Sequence, residues 1–214
     1  MKVSEIFESI DGEGIRAGLP VTFIRLYGCN LRCSYCDSQY ACVGNEWKEM
    51  AIEDILEEVI RLDHNCITIT GGEPLVHKDI YFLIQALSSA GYKVNIETDG
   101  ACDITPYIKK RNILLTVDYK CPSSDMESRM LLDNFNKVRE KDVVKFVVGS
   151  DEDLECMKKV IEDFQLRCHI FVSPVFGKIE AKQIVEFLLK NKLDNVRLQL
   201  QIHKYVWDPN MRGV

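Results

Sequence analysis

From residue 21 to residue 201 the chain alternates short β-branched runs with amphipathic stretches, and no other feature constrains its fold as much. VTFIRLY (21–27) reads as a strand, IEDILEEVIRL (52–62) has helical periodicity, and CITIT (66–70) is a short buried strand ending at Gly71-Gly72. DIYFLIQALSSAG (79–91) is a helix closed by Gly91, and KVNIET (93–98) is the next strand. A helix is expected at 103–110, a strand at ILLTVD (113–118) and a helix around 126–138. The strand VVKFVVG (143–149), a helix at 151–165, the strand HIFVSP (169–174), a helix at 180–191 and the strand NVRLQLQ (195–201) complete the pattern. Such alternation predicts a parallel sheet with helical crossovers. About seven strands in 214 residues fall short of the ~250 residues typical of a closed eightfold barrel. The expectation is an α/β fold, an incomplete (trimmed) β/α barrel of about six to seven mainly parallel strands. An open doubly wound sheet is the alternative. No repeat, low-complexity tract or Pro/Gly/Ser linker interrupts the chain, so residues 1–214 are expected to form one domain.

Lys+Arg 27 against Asp+Glu 33 leaves a net charge of −6, which argues against a general binder of nucleic-acid backbones. No apolar run approaches the roughly 18 residues a membrane span needs. The opening MKVSEIFESIDGEG carries acids where a secretory signal would be apolar, which places the chain in the cytoplasm. There, nine cysteines, an odd number, do not make a disulfide framework, so some of them are expected to bind something.

CNLRCSYCD (29–37) gathers Cys29, Cys33 and Cys36, with no His or Cys between Cys36 and Cys42 to complete the set locally. Thiolates suit zinc, copper(I) and iron–sulfur clusters. A structural zinc site is closed by four ligands, which here would require distant Cys102, Cys121 or His64. A four-iron cluster held by three cysteines instead leaves one iron free to bind a small molecule. The remaining cysteines, 42, 66, 102, 121, 156 and 168, read as packing residues. The cysteine loop, Gly71-Gly72-Glu73-Pro74, Glu97-Thr98 and Asp118-Tyr119-Lys120 all fall at or just past strand C-terminal ends, the ligand-binding edge of parallel β/α folds.

The Cys-x3-Cys-x2-Cys spacing, with aromatic Tyr35 before the third cysteine, resembles the signature of the radical S-adenosylmethionine enzymes. TGGEP (70–74), one β/α unit downstream, resembles that family's run for the amino group of adenosylmethionine. ESIDGEG, RLYGCNLRCSYCDS and QIHKYVWDPNMRGV resemble, across essentially the whole chain, the 7-carboxy-7-deazaguanine synthases.

That resemblance implies a 4Fe-4S cluster on Cys29, Cys33 and Cys36, Mg2+ at Ser38, and S-adenosyl-L-methionine at Tyr35, Cys36, Asp37, Gly72, Glu73, Asp118, Tyr119 and Lys120. It implies substrate contacts at Ile10, Asp11, Gly12, Glu13, Arg25, Thr70, His203 and the terminal carboxylate of Val214. Asp11 stands where the family usually has Gln, and Asp118 where relatives often have Ser. The implied reaction converts 6-carboxy-5,6,7,8-tetrahydropterin to 7-carboxy-7-deazaguanine. An adenosyl radical takes hydrogen from C6, the ring contracts, ammonia leaves, and adenosylmethionine is recovered. The resemblance also implies a flavodoxin or ferredoxin electron donor and a homodimer, and assigns no residue as acid or base. Two alternatives stay open: an activating enzyme for glycyl-radical proteins, and a non-catalytic zinc-binding module.

Overall fold

A computed structural model describes residues 1–209 and 211–214. Its strands are β1 (Lys2–Ile10), β2 (Pro20–Leu26), β3 (Lys48–Glu49), β4 (Cys66–Gly71), β5 (Lys93–Thr98), β6 (Ile113–Tyr119), β7 (Val143–Val148), β8 (His169–Pro174) and β9 (Val196–Leu198). Its helices are α1 (Ile52–Leu62), α2 (Ile80–Ser89), α3 (Asp151–Phe164), α4 (Ala181–Asn191) and α5 (His203–Val206). One sheet holds all nine strands in the order β3-β1-β2-β4-β5-β6-β7-β8-β9. From β2 through β9 every pairing is parallel, while β1 runs antiparallel to both β2 and β3. The sheet does not close on itself. Seven parallel strands with an unclosed edge make the trimmed barrel that the alternation predicts.

Three features differ from the sequence reading. KVSEIFESI forms strand β1, whose alternating pattern is broken by acids; Glu5 is matched across the ladder by Arg25, so the charge is paired. Residues 103–110 are turns, not a helix. Asp103 accepts from the Thr105 N–H and hydroxyl, and the Asn134 amide donates to the carbonyls of Gly100 and Cys102 while accepting from the Ile104 N–H. Side chains thus take over bonds that a helix would have made. For the same reason 126–138 is not an α-helix but two short 3-10 turns, Glu127–Arg129 and Leu132–Asn136, with Asn134 and Phe135 buried.

The two faces of the sheet are unlike. One carries Ile24, Leu26, Ile67, Ile69, Val94, Ile96, Leu115, Val117, Val144, Phe146, Ile170 and Val172, all buried. Against it pack Ile55 and Val59 of α1, Leu83, Ile84 and Leu87 of α2, Leu154 and Met157 of α3, and Ile184 of α4. The other, inner face alternates with it. Register partners place Arg25 beside Thr70, Glu97 beside Thr116 and Asp118 beside Lys145. Thr68, Thr70, Asn95, Thr116 and Ser173 on this face are buried polar residues. The helices hold the hydrophobic core; the interior of the trimmed barrel is polar.

Candidate active site

β2 ends at Leu26, and the chain leaves the sheet's C-terminal edge as an irregular loop through Cys29, Cys33 and Cys36, each half-buried and free of disulfides. The Leu31 N–H points at the Cys29 sulfur at 3.3 Å. Half-buried Cys42 lies beside this loop, its thiol donating to Ser38 O at 3.5 Å. The neighbouring Cys42 thiol favours the thiolates of the loop, with Cys29 held below its ordinary range and Cys36 down at about 6, while the Cys42 proton itself is held tightly. Burial pushes Cys33 up to about 11, against the nearby Lys120 ammonium. His64 lies 3.4 Å from Glu8, and the free thiol of buried Cys121 points to Tyr119 O at 3.9 Å, so both are engaged away from the loop. Cys102 joins Glu73 and Asp99 instead, their ligating atoms within 4.8 Å of one another.

The Gly-Gly-Glu-Pro turn is wedged against this loop. The Gly72 N–H donates to Leu26 O at 3.0 Å and the Glu73 N–H to Gly28 O at 2.8 Å. A Cβ on Gly72 would lie 2.2 Å from Gly28 O and 2.9 Å from Cys29 Cβ, so only glycine permits this approach. Glu73 is fully buried, and its carboxyl accepts from the Leu75 N–H (2.9 Å), the Thr98 hydroxyl (2.9 Å) and the Asp99 N–H (2.6 Å). It braces the ends of β4 and β5. Burial, and then the Asp99 carboxylate, raise Glu73 well above the usual carboxylate range.

Deeper on the inner face, Glu13 enters from the segment between β1 and β2. Its carboxylate accepts from Ser173 (2.8 Å), Gln201 (3.2 Å) and the Lys145 ammonium (3.2 Å). Burial opposes its charge; Lys145 and the two neutral donors more than offset that, so Glu13 is held below its ordinary value. Lys145 also lies 3.5 Å from Asp118, which Lys120 grips at 2.5 Å. Glu97 is raised by burial despite Lys145. Tyr35 donates to Val147 O at 3.2 Å, and the Tyr119 ring faces the core against Phe135 and Phe146, leaving only its backbone at the edge.

Asp11 lies at the other end of the strands. Its carboxylate takes the Arg16 Nε at 2.7 Å and the Thr68 hydroxyl at 2.6 Å, and Arg16 also donates to the carbonyls of Ile67 and Lys93 near the starts of β4 and β5. The acid at the family's Gln position is thus bound up with a guanidinium in the floor of the barrel, and Ile10 is the last β1 residue before it.

The C-terminal segment closes over the same region. Ile202 N–H donates to Gly12 O at 3.1 Å, and a Cβ on Gly12 would meet His203 Nδ1 at 2.0 Å. Burial lowers His203 below its ordinary range. Lys204 pairs with Asp37 at 3.0 Å, and Asp37 in turn accepts from the Ser38 hydroxyl at 3.1 Å. Arg25 is held by Glu5 at 2.7 Å, and Glu5 also accepts from Tyr40. Arg212 stacks 3.9 Å from the Tyr40 ring and pairs with Glu46, while Val214 is half-buried. The structure therefore gathers Gly12, Glu13, Asp118, Lys120 and His203 near one interior, and leaves Asp11 apart from them.

Lys145 has no place in the sequence reading, and Glu97 is placed there only by its position at a strand end. A period-2 signal marks both. VVKFVV sets Lys145 into an apolar run, and KVNIET alternates polar Asn95 and Glu97 with apolar Val94 and Ile96; a charge on such an inward face needs a polar cavity or a partner.

A loop of three open thiols on the C-terminal edge of a trimmed parallel barrel, with a glycine turn pressed against it, defines a radical S-adenosylmethionine protein. The sequence model of the Radical SAM superfamily matches residues 23–118. The chain is 42% identical to the 7-carboxy-7-deazaguanine synthase of Clostridium acetobutylicum over 218 residues, covering 100% of this chain and 99% of that one. It is 39% identical to the enzyme of that name from Methanospirillum hungatei, over 98% of this chain and 86% of the relative. In fold it resembles QueE from Escherichia coli, with a TM-score of 0.77 at 24% identity, covering 93% of this chain and 92% of that one. The chain belongs to the 7-carboxy-7-deazaguanine synthase family.

Proposed function

We propose that this chain is a radical S-adenosylmethionine lyase that converts 6-carboxy-5,6,7,8-tetrahydropterin to 7-carboxy-7-deazaguanine with loss of ammonia, a step of 7-deazapurine (queuosine) biosynthesis. One observation carries the reading: three half-buried, unpaired thiols stand at the mouth of a polar barrel interior, in a chain that matches its named relatives end to end.

The residues present fit a 4Fe-4S cluster. The donors are soft thiols, two of them held toward the thiolate form, and Lys120 lies within electrostatic reach of Cys33 and Cys36. Cys29, Cys33 and Cys36 would hold the cluster. When bound, the cluster and adenosylmethionine supply a one-electron reduction and the radical that opens the chemistry. The protein does the rest by position. Tyr35, Cys36, Asp37, Gly72, Glu73 and the segment Asp118-Tyr119-Lys120 form the adenosylmethionine side, with Glu73 acting as a brace behind it. Glu13, ionised, accepts hydrogen bonds from the guanidine-like edge of the pterin, with Gly12 and Ile10 beside it and Thr70 below. Arg25 and the Val214 carboxylate frame the opposite end, and His203 closes the interior against water. Asp11 supports this pocket from the floor rather than touching the ligand. Ser38, with Asp37 at its side, is the Mg2+ ligand, an oxygen donor suited to a hard cation that keeps other oxygens. The chain works as one domain in the cytoplasm, as a homodimer reduced by a flavodoxin or ferredoxin.

The test is anaerobic reconstitution with dithionite, adenosylmethionine, Mg2+ and the tetrahydropterin. A deazaguanine chromophore is the expected result. An intact cluster that yields no such product would overturn the substrate assignment.

A further inference from the structure

We infer that Lys145 is the positioning residue of the pterin pocket, holding Glu13 ionised and aimed into the barrel interior. The inference rests on the substrate reading above and names the group on which that reading depends. Lys145 sits on β7, the one charged residue in VVKFVV, with its side chain 12% exposed. Two carboxylates from different elements converge on its ammonium: Glu13 at 3.2 Å from the β1–β2 segment and Asp118 at 3.5 Å from β6. Glu97 on β5 faces it as well. The two partners are not equally dependent on it. Asp118 keeps Lys120 at 2.5 Å, whereas Glu13 has Lys145 as its sole cation within ion-pair distance among the described residues. Its other partners, Ser173 and Gln201, are neutral.

Removing the ammonium therefore leaves Glu13 with burial and the Asp118 charge, both of which favour its protonated form, against two neutral hydrogen bonds. The charged and titratable groups facing this pair are Asp118, Glu97, Asp37 and His203, with Lys120 and Lys204 behind them on Asp118 and Asp37. None of the cations among them replaces the contact. A protonated Glu13 presents an O–H where the pterin's own N–H groups need an acceptor.

The sign follows. In the parent enzyme Glu13 is depressed and stays ionised through neutrality, so pterin affinity is level with pH. In Lys145→Met the Glu13 carboxyl rises, so affinity is weakest at low pH and recovers as pH rises. The experiment measures pterin affinity and KM from about pH 6 to 8.5 in the anaerobically reconstituted enzyme, with Lys145→Met, Lys145→Arg, Glu13→Gln and the double variant. Lys145→Met should bind about tenfold more weakly at pH 6.5 and regain most of that by pH 8.5, since a charge-assisted contact is worth on the order of one such factor. Lys145→Arg should restore the level profile. On the Glu13→Gln background the substitution of Lys145 should add no pH dependence; that pair carries fewer buried charges and keeps the test alive if Lys145→Met folds poorly. A level profile in Lys145→Met, or a sloping one that persists without Glu13, overturns the inference. Absence of product from the parent enzyme would instead overturn the substrate reading.

Discussion

Replacing Gly72 by Ala tests the contact on which the site's geometry turns. The backbone at Gly72 does not occupy the left-handed region, so an alanine meets no dihedral penalty there. Its Cβ, however, would lie 2.2 Å from Gly28 O, 2.5 Å from Gly28 C and 2.9 Å from Cys29 Cβ. Ordinary contact begins at 3.4 Å, so the turn and the cysteine loop must separate by about 1.2 Å. Neither wall is the end of a flexible side chain. Two backbone bonds, Gly72 N–H to Leu26 O and Glu73 N–H to Gly28 O, resist the shift. Overpacking of this kind costs roughly 1–3 kcal/mol, a fall in Tm of about 2–4 °C per kcal/mol in a chain of this size.

The effect on turnover is larger than the effect on stability. A displacement of about 1 Å between reacting partners costs on the order of 100-fold in rate. Gly72→Ala should therefore retain its three thiols and its iron, lose a few degrees of Tm, and lose about 100-fold in kcat/KM, read by product formation in the reconstituted enzyme. Gly149→Ala is the control, since its nearest neighbours lie at 3.4–3.5 Å. Parent-level turnover in Gly72→Ala would show that the turn is an ordinary strand-to-helix connection, and the argument from close approach would fail.

Cys29→Ala, Cys33→Ala and Cys36→Ala should each lose the cluster's visible absorption and turnover together, while Cys168→Ala keeps both; iron analysis after anaerobic purification checks this. Glu73 is raised by burial and by Asp99, so the stability it contributes is present below the ordinary carboxylate range and lost as pH rises through its folded value. Glu73→Gln, permanently neutral, should lose less Tm than the parent as pH rises above the ordinary carboxylate range, and a parallel decline in the two would count against this. Arg139 binds buried Asp142 at 2.6 Å and donates to the carbonyls of Ile108, Lys110 and Ile113. Arg139→Met leaves that carboxylate without its cation, held only by the Leu115 and residue-139 backbone N–H groups, at a cost of about 3–5 kcal/mol, a fall in Tm of roughly 10 °C, with iron content unchanged by metal analysis.

Much of this was legible from residues 21 to 201. The β-branched runs and their crossovers gave a parallel sheet, and the cysteine spacing and Gly-Gly-Glu-Pro turn marked its working edge. Two crossovers misled, because Asn134 satisfies backbone groups of residues 100–104 in a way no local pattern records. The nearness of Cys42 to the loop is hidden for a related reason: six residues beyond Cys36, it returns there because the 3-10 turn Gln39–Ala41 folds it back. The role of Asp11 depends on Arg16 and Thr68, one of them 57 positions away.

The alternation within strands held more than its use as an element signal. A parallel sheet covered by helices on both faces reads as continuous apolar runs. Here Thr68 and Thr70, Asn95 and Glu97, Thr116 and Asp118, and Lys145 alternate with the buried aliphatics of the helix-covered face. Those polar groups cost stability unless they are paired, and the pairing is extensive: Thr68 to Asp11, Thr116 to Asn95, Ser173 to Glu13 and Lys145 to Glu13. The interior is thus held in shape by bonds that exist before a ligand arrives. A donor edge entering it meets a carboxylate already oriented, and the reorganisation that water would have required is avoided. The energy that could have gone into a second apolar core is spent on a preformed polar cavity beneath the cysteine loop.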